Sequence, residues 1–191
     1  MSFIKPVFLA DHLFFEVISA KEPYTVFRAV DLTDARSTQV VSLKSVHPNC
    51  TDDEAPRRGL HIEALTLARL DHPNIPRLNR SGEINGQPYL TYDHIWGRSL
   101  LDLLRQLRRH EKMLSEAYAS HIIIEVCASL GHAHNLGDDL FPRGILHNNL
   151  NPSNIIISFT GEVFLVGFGL EPPSVTKENL ESFDFRELVY L

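Results

Sequence analysis

The stretch that decides the fold runs from residue 147 to residue 157, and a Gly-Phe-Gly turn follows ten residues later. The sequence reads His147-Asn148-Asn149-Leu150-Asn151-Pro152-Ser153-Asn154-Ile155-Ile156-Ile157, then Gly167-Phe168-Gly169. Four of the eleven residues in the first segment are asparagines, and none is an acid, Lys or Arg. The three isoleucines at its end are typical of a strand. We interpret the segment as a folding element in which His147 packs and Leu150 and Ile156 fill a core.

The spacing of these residues resembles the catalytic loop and metal-binding turn of the protein kinases. That family has His-Arg-Asp-Leu, then a Lys, two further residues and an Asn, then a strand and Asp-Phe-Gly. The resemblance covers roughly residues 12–191. Within the family, the sequence resembles those of the bacterial serine/threonine kinases. The positions of the family's Arg, Asp, Lys and second Asp are held here by uncharged residues, namely Asn148, Asn149, Asn151 and Gly167.

These replacements imply a loss of catalysis, so the chain is predicted not to be an enzyme. Asn149 cannot act as a carboxylate base, and general-base help is worth roughly 10²–10⁴-fold in rate. Asn154 is retained where the family binds one magnesium ion, but Gly167 replaces the principal acidic ligand. Because Mg²⁺ prefers several oxygen ligands, most of them charged, no metal site is predicted. We expect no resident cofactor, with ATP binding weak or absent.

The resemblance implies an α+β kinase-like fold with two lobes. The amino-terminal lobe, residues 1–95, should contain a five-stranded antiparallel sheet and one helix over about residues 57–70. β-Branched and aromatic runs place the strands at residues 13–18, 24–31, 39–46, 75–81 and 87–92. The carboxy-terminal lobe, residues 96–191, should be mainly helical and incomplete. It would end in an activation segment before the family's Ala-Pro-Glu motif.

The family's glycine-rich phosphate loop has no counterpart in this sequence. Its three glycine positions align with Ser19, Lys21 and Tyr24, and the segment adds Glu22 and Pro23. Glycines let backbone amides approach phosphates closely, whereas proline lacks an amide hydrogen. The alternative is a plain hairpin turn, which needs no glycine.

The resemblance nevertheless identifies a vestigial nucleotide pocket. Lys44 matches the family's phosphate-positioning lysine, and Glu63, 19 residues later, matches its helical partner. The alternative is two separate solvated side chains. The remaining candidate pocket residues implied by the resemblance are Val26, Ser42, Asp93, Ile95, Asn154 and Ile156. Tyr92 matches the position that controls access behind the pocket.

The packing positions of the family are better kept than its charges. His147, Phe168, Leu67 and Leu78 align with four stacked positions of active kinases. A helix over about residues 115–135 has Ile122, Ile123 and Val126 among its apolar positions and should be the central buried helix of its lobe. Because the family's later helices are missing from the sequence, this helix should leave apolar surface uncovered. Such surface usually marks a partner site, so we expect a second protein chain or an identical copy to cover it.

Composition narrows the other possibilities. The net charge of −6 gives no overall field that favours nucleic acid or an anionic membrane, and no apolar run reaches the ~18 residues of a membrane span. The two cysteines, Cys50 and Cys127, provide neither a disulfide framework nor a zinc site. His132 and His134 lie two apart, which disfavours a shared metal site on a helix. We therefore expect a cytoplasmic protein with no nucleic-acid or membrane partner.

Three functions remain open. The first is a catalytically inactive pseudokinase that acts as a protein-interaction, scaffold or regulatory module in bacterial signalling. The second is a nucleotide-binding switch or unorthodox transferase that uses Lys44 and Glu63 without the usual metal. The third is a structural assembly subunit that uses the fold only as a packing surface.

Overall fold

Six antiparallel strands and one long helix build the first part of the chain. In this computed structural model, which describes residues 2–9, 11–33, 39–137 and 144–169, the chain divides into two compact units, Met1–Trp96 and Gly97–Leu191. The strands of the first unit are β1 (Ser2–Leu9), β2 (His12–Lys21), β3 (Tyr24–Asp31), β4 (Val40–Val46), β5 (Leu78–Ile84) and β6 (Gln87–Asp93). Their order in the sheet is β1-β2-β3-β4-β6-β5. Helix α1 (Glu54–Leu67) connects β4 to β5.

Alternation along the strands gives this sheet two different faces. One face carries a buried apolar cluster of Phe14, Ala29, Val41, Leu43 and Tyr89. Because successive side chains of a strand point to opposite sides, Ser42 and Lys44 of β4 face away from that cluster. Both are nevertheless buried. The second face is therefore a sheltered polar surface, and Val26, Ser42 and Lys44 of the candidate pocket lie on it.

The α+β kinase-like architecture is confirmed, with differences in detail. All five expected strands are present as β2 to β6, and β1 adds a sixth strand before them. Strand β5 begins at Leu78 rather than at residue 75. Helix α1 begins at Glu54, three residues before the predicted start, because Pro56 lies in its first turn, where the helix does not need a backbone donor.

The second unit combines two helices with a small sheet. Its elements are β7 (Gly97–Ser99), α2 (Leu100–Arg109), α3 (Glu116–His134), β8 (Ile155–Ser158) and β9 (Val163–Leu165), with sheet order β7-β8-β9. Ser99 caps α2 by accepting a hydrogen bond from the Asp102 amide at 3.1 Å. Ser115 caps α3 in the same way through the Tyr118 amide. Each cap satisfies an amide that the first helical turn leaves unpaired.

A close backbone contact brings the chain from α3 back to the loop that begins at His147. The Ile145 amide donates to the Ala133 carbonyl oxygen at 2.9 Å. Gly144 adopts a φ of +77°, and a Cβ there would lie 2.0 Å from the His134 carbonyl oxygen. Only glycine fits this position without backbone movement. Ile145 and Phe168 are then fully buried in the core of this unit.

Helix α3, predicted as the central buried helix of its lobe, is buried along one side only. Its buried positions are Ile122, Val126, Ser129 and Ala133, which lie on one side at helical spacing. Ile123 and Ile124 point away from that side and are 52% and 63% exposed. The prediction of Ile123 as a core residue was therefore wrong, as was that of Leu150, which is 39% exposed. The described helices include none that is long and apolar enough to cross a membrane. The expected activation segment, residues 170–191, lies outside the described residues.

Candidate functional site

The segment aligned with the phosphate loop is a tight antiparallel hairpin. Lys21 of β2 pairs with Tyr24 of β3, so Glu22 and Pro23 form the turn between them. The Glu22 carboxylate accepts a hydrogen bond from Asn49 Nδ2 at 2.7 Å, and the Pro23 carbonyl oxygen accepts one from the His47 amide at 2.8 Å. The turn is thus held by contacts within the chain and carries a negative charge at its tip.

Lys44 and Glu63 form a buried ion pair. Lys44 Nζ donates to Glu63 Oε2 at 2.6 Å, and the two residues are only 7% and 2% exposed. Burial raises the pKa of the Glu63 carboxyl, and the Lys44 charge partly opposes this rise. The ammonium also lies 4.5 Å from the centroid of the Tyr24 ring. The Lys44 charge is therefore engaged on two sides by this unit itself.

Tyr24 holds this arrangement against α1. Its hydroxyl donates to the Pro56 carbonyl oxygen at 3.3 Å. A Cβ on Gly59 would come within 2.4 Å of the same hydroxyl, so glycine at this helical position leaves room for the ring. An aromatic ring thus replaces the third glycine of the family's loop and packs over the lysine.

Of the other pocket residues of the first unit, Val26 and Ser42 lie on the same sheltered face, whereas Asp93 is the cross-strand partner of Val41 on the opposite face. Val26 is the cross-strand partner of Lys44, and Ser42 is the partner of Tyr92. Burial raises the pKa of Tyr92, and the Glu63 carboxylate adds to the rise. Asp93 at the end of β6 accepts from Gln39 Nε2 at 3.2 Å, and Ile95 beyond it is partly buried.

A polar cluster next to Ser42 was not anticipated from the sequence. Arg28 Nε donates to His94 Nε2 at 2.9 Å, so the His94 proton lies on Nδ1, which is 2.9 Å from Ser42 Oγ. Arg28 also donates to the buried Glu16 carboxylate, and its guanidinium lies 4.5 Å from the Trp96 ring centroid. Burial, with a smaller effect from the Arg28 charge, lowers the pKa of His94 to about 4. The sequence could have indicated this cluster only through the register of its strands, and the sequence pattern did not determine that register.

In the second unit, the asparagines at the catalytic positions bond to one another. Asn151 Nδ2 donates to both the carbonyl oxygen and Oδ1 of Asn149, each at 3.0 Å. Asn154 Nδ2 donates to the Asn149 carbonyl oxygen at 2.7 Å, and Asn151 Oδ1 accepts from the Ser153 amide at 2.8 Å. Asn149, Asn151 and Asn154 are therefore joined by hydrogen bonds within the loop.

His147 connects this network to the following strand. Its Nδ1 accepts from the Asn149 amide at 3.2 Å, so Nε2 carries the proton and donates to the Val166 carbonyl oxygen at 3.0 Å. Its ring also contacts Phe168, with centroids 4.5 Å apart. Burial lowers the pKa of His147 to about 4. His147 is thus a neutral, buried structural residue.

The residues at the metal positions do not fit a magnesium ion. Asn154 offers one neutral amide oxygen, and Gly167 offers no side chain. A Cβ at Gly167 would lie 3.2 Å from Asn154 Nδ2, and its φ of +82° favours glycine. In the part of the chain that the structure describes, no group of three or more His, Cys, Asp or Glu side chains could hold a metal. Ile156, the last candidate pocket residue, lies partly buried on β8.

Comparison with known proteins supports the kinase-like fold. The chain is 34% identical over 137 residues to serine/threonine-protein kinase PknD of Mycobacterium tuberculosis, and 30% identical over 157 residues to PknE of the same species. These matches cover 72% and 78% of this chain but only 19% and 26% of the relatives, so the chain spans about a fifth to a quarter of their length. The crystal structure of the M. tuberculosis PknI kinase domain superposes with a TM-score of 0.70. The superposition covers 95% of this chain and 67% of that domain, and the two sequences are 23% identical. At this identity the similarity supports the fold alone.

A match to a family model identifies the family of the chain more directly. Residues 25–185 match the model of the protein kinase domain, a span that includes the Lys44–Glu63 pair and the asparagine loop. Together with the PknD and PknE matches, this places the chain in the protein kinase domain family.

Proposed function

We propose that this kinase-like domain is a catalytically inactive pseudokinase that serves as a protein-interaction, scaffold or regulatory module in bacterial signalling. The observation that carries the proposal is the asparagine loop. Asn149 stands at the position of the catalytic base, and both its carbonyl oxygen and Oδ1 accept hydrogen bonds from Asn151. An amide cannot take a proton from an attacking hydroxyl, and this one is held in place by its neighbours.

The other changes point in the same direction. Asn151 stands where the family has a lysine, and its side chain is used as both donor and acceptor within the loop. Gly167 removes the principal metal ligand. Phosphoryl transfer depends on positioning and charge stabilisation by metal ions and cations, so losing several of these groups at once should abolish it. The test is phosphoryl transfer from ATP, with the expectation of none above a Lys44→Ala control.

A nucleotide-binding switch or unorthodox transferase is the second candidate, favoured by the Lys44–Glu63 ion pair. On this hypothesis ATP binds without the usual metal, and Lys44→Ala abolishes the binding. A ligand at 100 times its dissociation constant adds about 2.7 kcal/mol to the free energy of unfolding. A thermal-shift titration that gives no rise in melting temperature would favour the pseudokinase.

The exposed apolar residues of α3 suggest how such a module would act. Tyr118, Ile123 and Ile124 are all more than half exposed on this helix. We propose that a second protein chain, identical or different, covers them in a cytoplasmic assembly without nucleic acid or membrane. A structural assembly subunit would use the same surface.

This partner proposal predicts self-association or capture of another chain that Ile124→Glu weakens at least tenfold. Leu65→Glu is the matched control, because Leu65 is 48% exposed on α1 of the other unit. Light scattering at micromolar concentration measures self-association. A clean monomer that binds no hydrophobic dye would contradict the proposal.

A further inference from the structure

The sheltered face of the first unit carries a row of polar side chains across three strands. Glu16 of β2 is the cross-strand partner of Arg28 of β3, and Arg28 is the partner of Ser42 of β4. Side chains opposite each other in this way lie on the same face. Glu16 is 1% and Ser42 is 4% exposed, so something covers this row.

His94, from the segment that follows β6, packs on this row at Arg28 and Ser42. Its two ring nitrogens are both used: Nε2 accepts from Arg28, and Nδ1 donates to Ser42 Oγ. The ring meets the Trp96 ring edge-on, with centroids 4.7 Å apart. Arg28 of β3, Ser42 of β4 and Trp96, which follows β6, therefore fix the His94 ring against the sheet.

Ser42 and Val26 are the residues that the family resemblance assigns to the walls of an adenine slot, and Asp93 and Ile95 flank His94. We propose that the His94 imidazole, held by Arg28 and Ser42, occupies the place of the adenine ring on this sheet, so that the chain closes its own nucleotide slot. This inference rests on the proposed function and deepens it. It gives a steric reason why this domain does not bind a nucleotide, and that reason is separate from the missing catalytic groups.

The contacts explain why a ligand does not easily displace this ring. Moving His94 outward breaks hydrogen bonds to Arg28 and Ser42 at a buried site, and such unsatisfied groups are costly. Adenine would have to replace them while offering its own donors and acceptors to an arginine fixed by Glu16 and Trp96. The pocket should therefore reject adenine even in the absence of phosphates.

The test is a titration of the full chain with adenosine, which carries neither phosphate nor metal. Trp96 is the only tryptophan, so its fluorescence reports on this cluster directly. We expect His94→Ala to bind adenosine at least tenfold more tightly than the wild type. His61→Ala, which removes an exposed histidine of α1, is the matched control and should match the wild type. Circular dichroism verifies folding, and His94→Ser replaces His94→Ala if the latter does not fold.

Any gain below tenfold, including no binding by either protein, would overturn the inference. Failure of this inference can be distinguished from failure of the proposed function, because adenosine cannot donate a phosphoryl group. Phosphoryl transfer by the wild type would refute the pseudokinase while leaving the adenosine comparison to judge His94 by itself.

Discussion

Replacement of Lys44 by methionine is expected to lower the free energy of unfolding by roughly 3–5 kcal/mol. The substitution leaves the Glu63 carboxylate buried, with its 2.6 Å partner removed. A carboxylate in that environment must either remain charged without compensation or take up a proton. Urea denaturation at pH 7.5 measures the loss. If Lys44→Met does not fold, the stability of Lys44→Met/Glu63→Leu tests the same effect.

Removal of both charges should restore most of the stability that Lys44→Met loses. In Lys44→Met/Glu63→Leu no unpaired charge remains, and replacing a buried ion pair with apolar residues is often neutral or stabilising. Arg105→Met is the matched control, since the Arg105–Asp102 pair is exposed with a 3.7 Å separation. It should change stability by less than about 1 kcal/mol. A double variant no more stable than Lys44→Met would show that the buried charge is not the cause.

The protein is expected to lose roughly 3 kcal/mol of stability through His147 as the pH falls from about 6.5 to 4. Its pKa is about 4 in the folded chain, against about 6.5 for an unperturbed histidine. Between these values the unfolded chain binds the extra proton, so this contribution is present above pH 6.5 and is lost on acidification. Protonation would also end the acceptor role of Nδ1 toward the Asn149 amide. Denaturation at a series of pH values measures the slope.

A non-titrating variant isolates this effect. His147→Gln removes the ionisable ring, so the pH dependence between 6.5 and 4 should become shallower even though the variant is less stable at pH 7.5. His61→Gln provides the matched control from an exposed helical position. An unchanged slope in His147→Gln, or an equal reduction in His61→Gln, would contradict the assignment.

Local patterns predicted the parts of the fold in which neighbouring residues carry the signal. Strand β3 was predicted within its observed bounds, because its β-branched and aromatic run is followed by a break. Strand β1 was missed, since Pro6 disfavours a central strand but is tolerated at a sheet edge, where β1 lies.

The candidate site could be predicted only where spacing carried information. The 19-residue interval between Lys44 and Glu63 indicated a pair, and the two side chains do meet. His94 had no such interval, because its contacts with Arg28 and Ser42 depend on the register of separate strands and on the path of the chain after β6. Ile123 and Leu150 were misplaced because an apolar residue type does not reveal which face of a helix or loop is buried.

The most direct test of the central claim is phosphoryl transfer from radiolabelled ATP with magnesium, to a generic protein substrate and to the chain itself. We expect transfer by the wild type to equal that of Lys44→Ala and of Asn154→Ala, since the residual signal would come from contaminating kinase. Transfer that scales with protein concentration, saturates with ATP and disappears in both variants would contradict it.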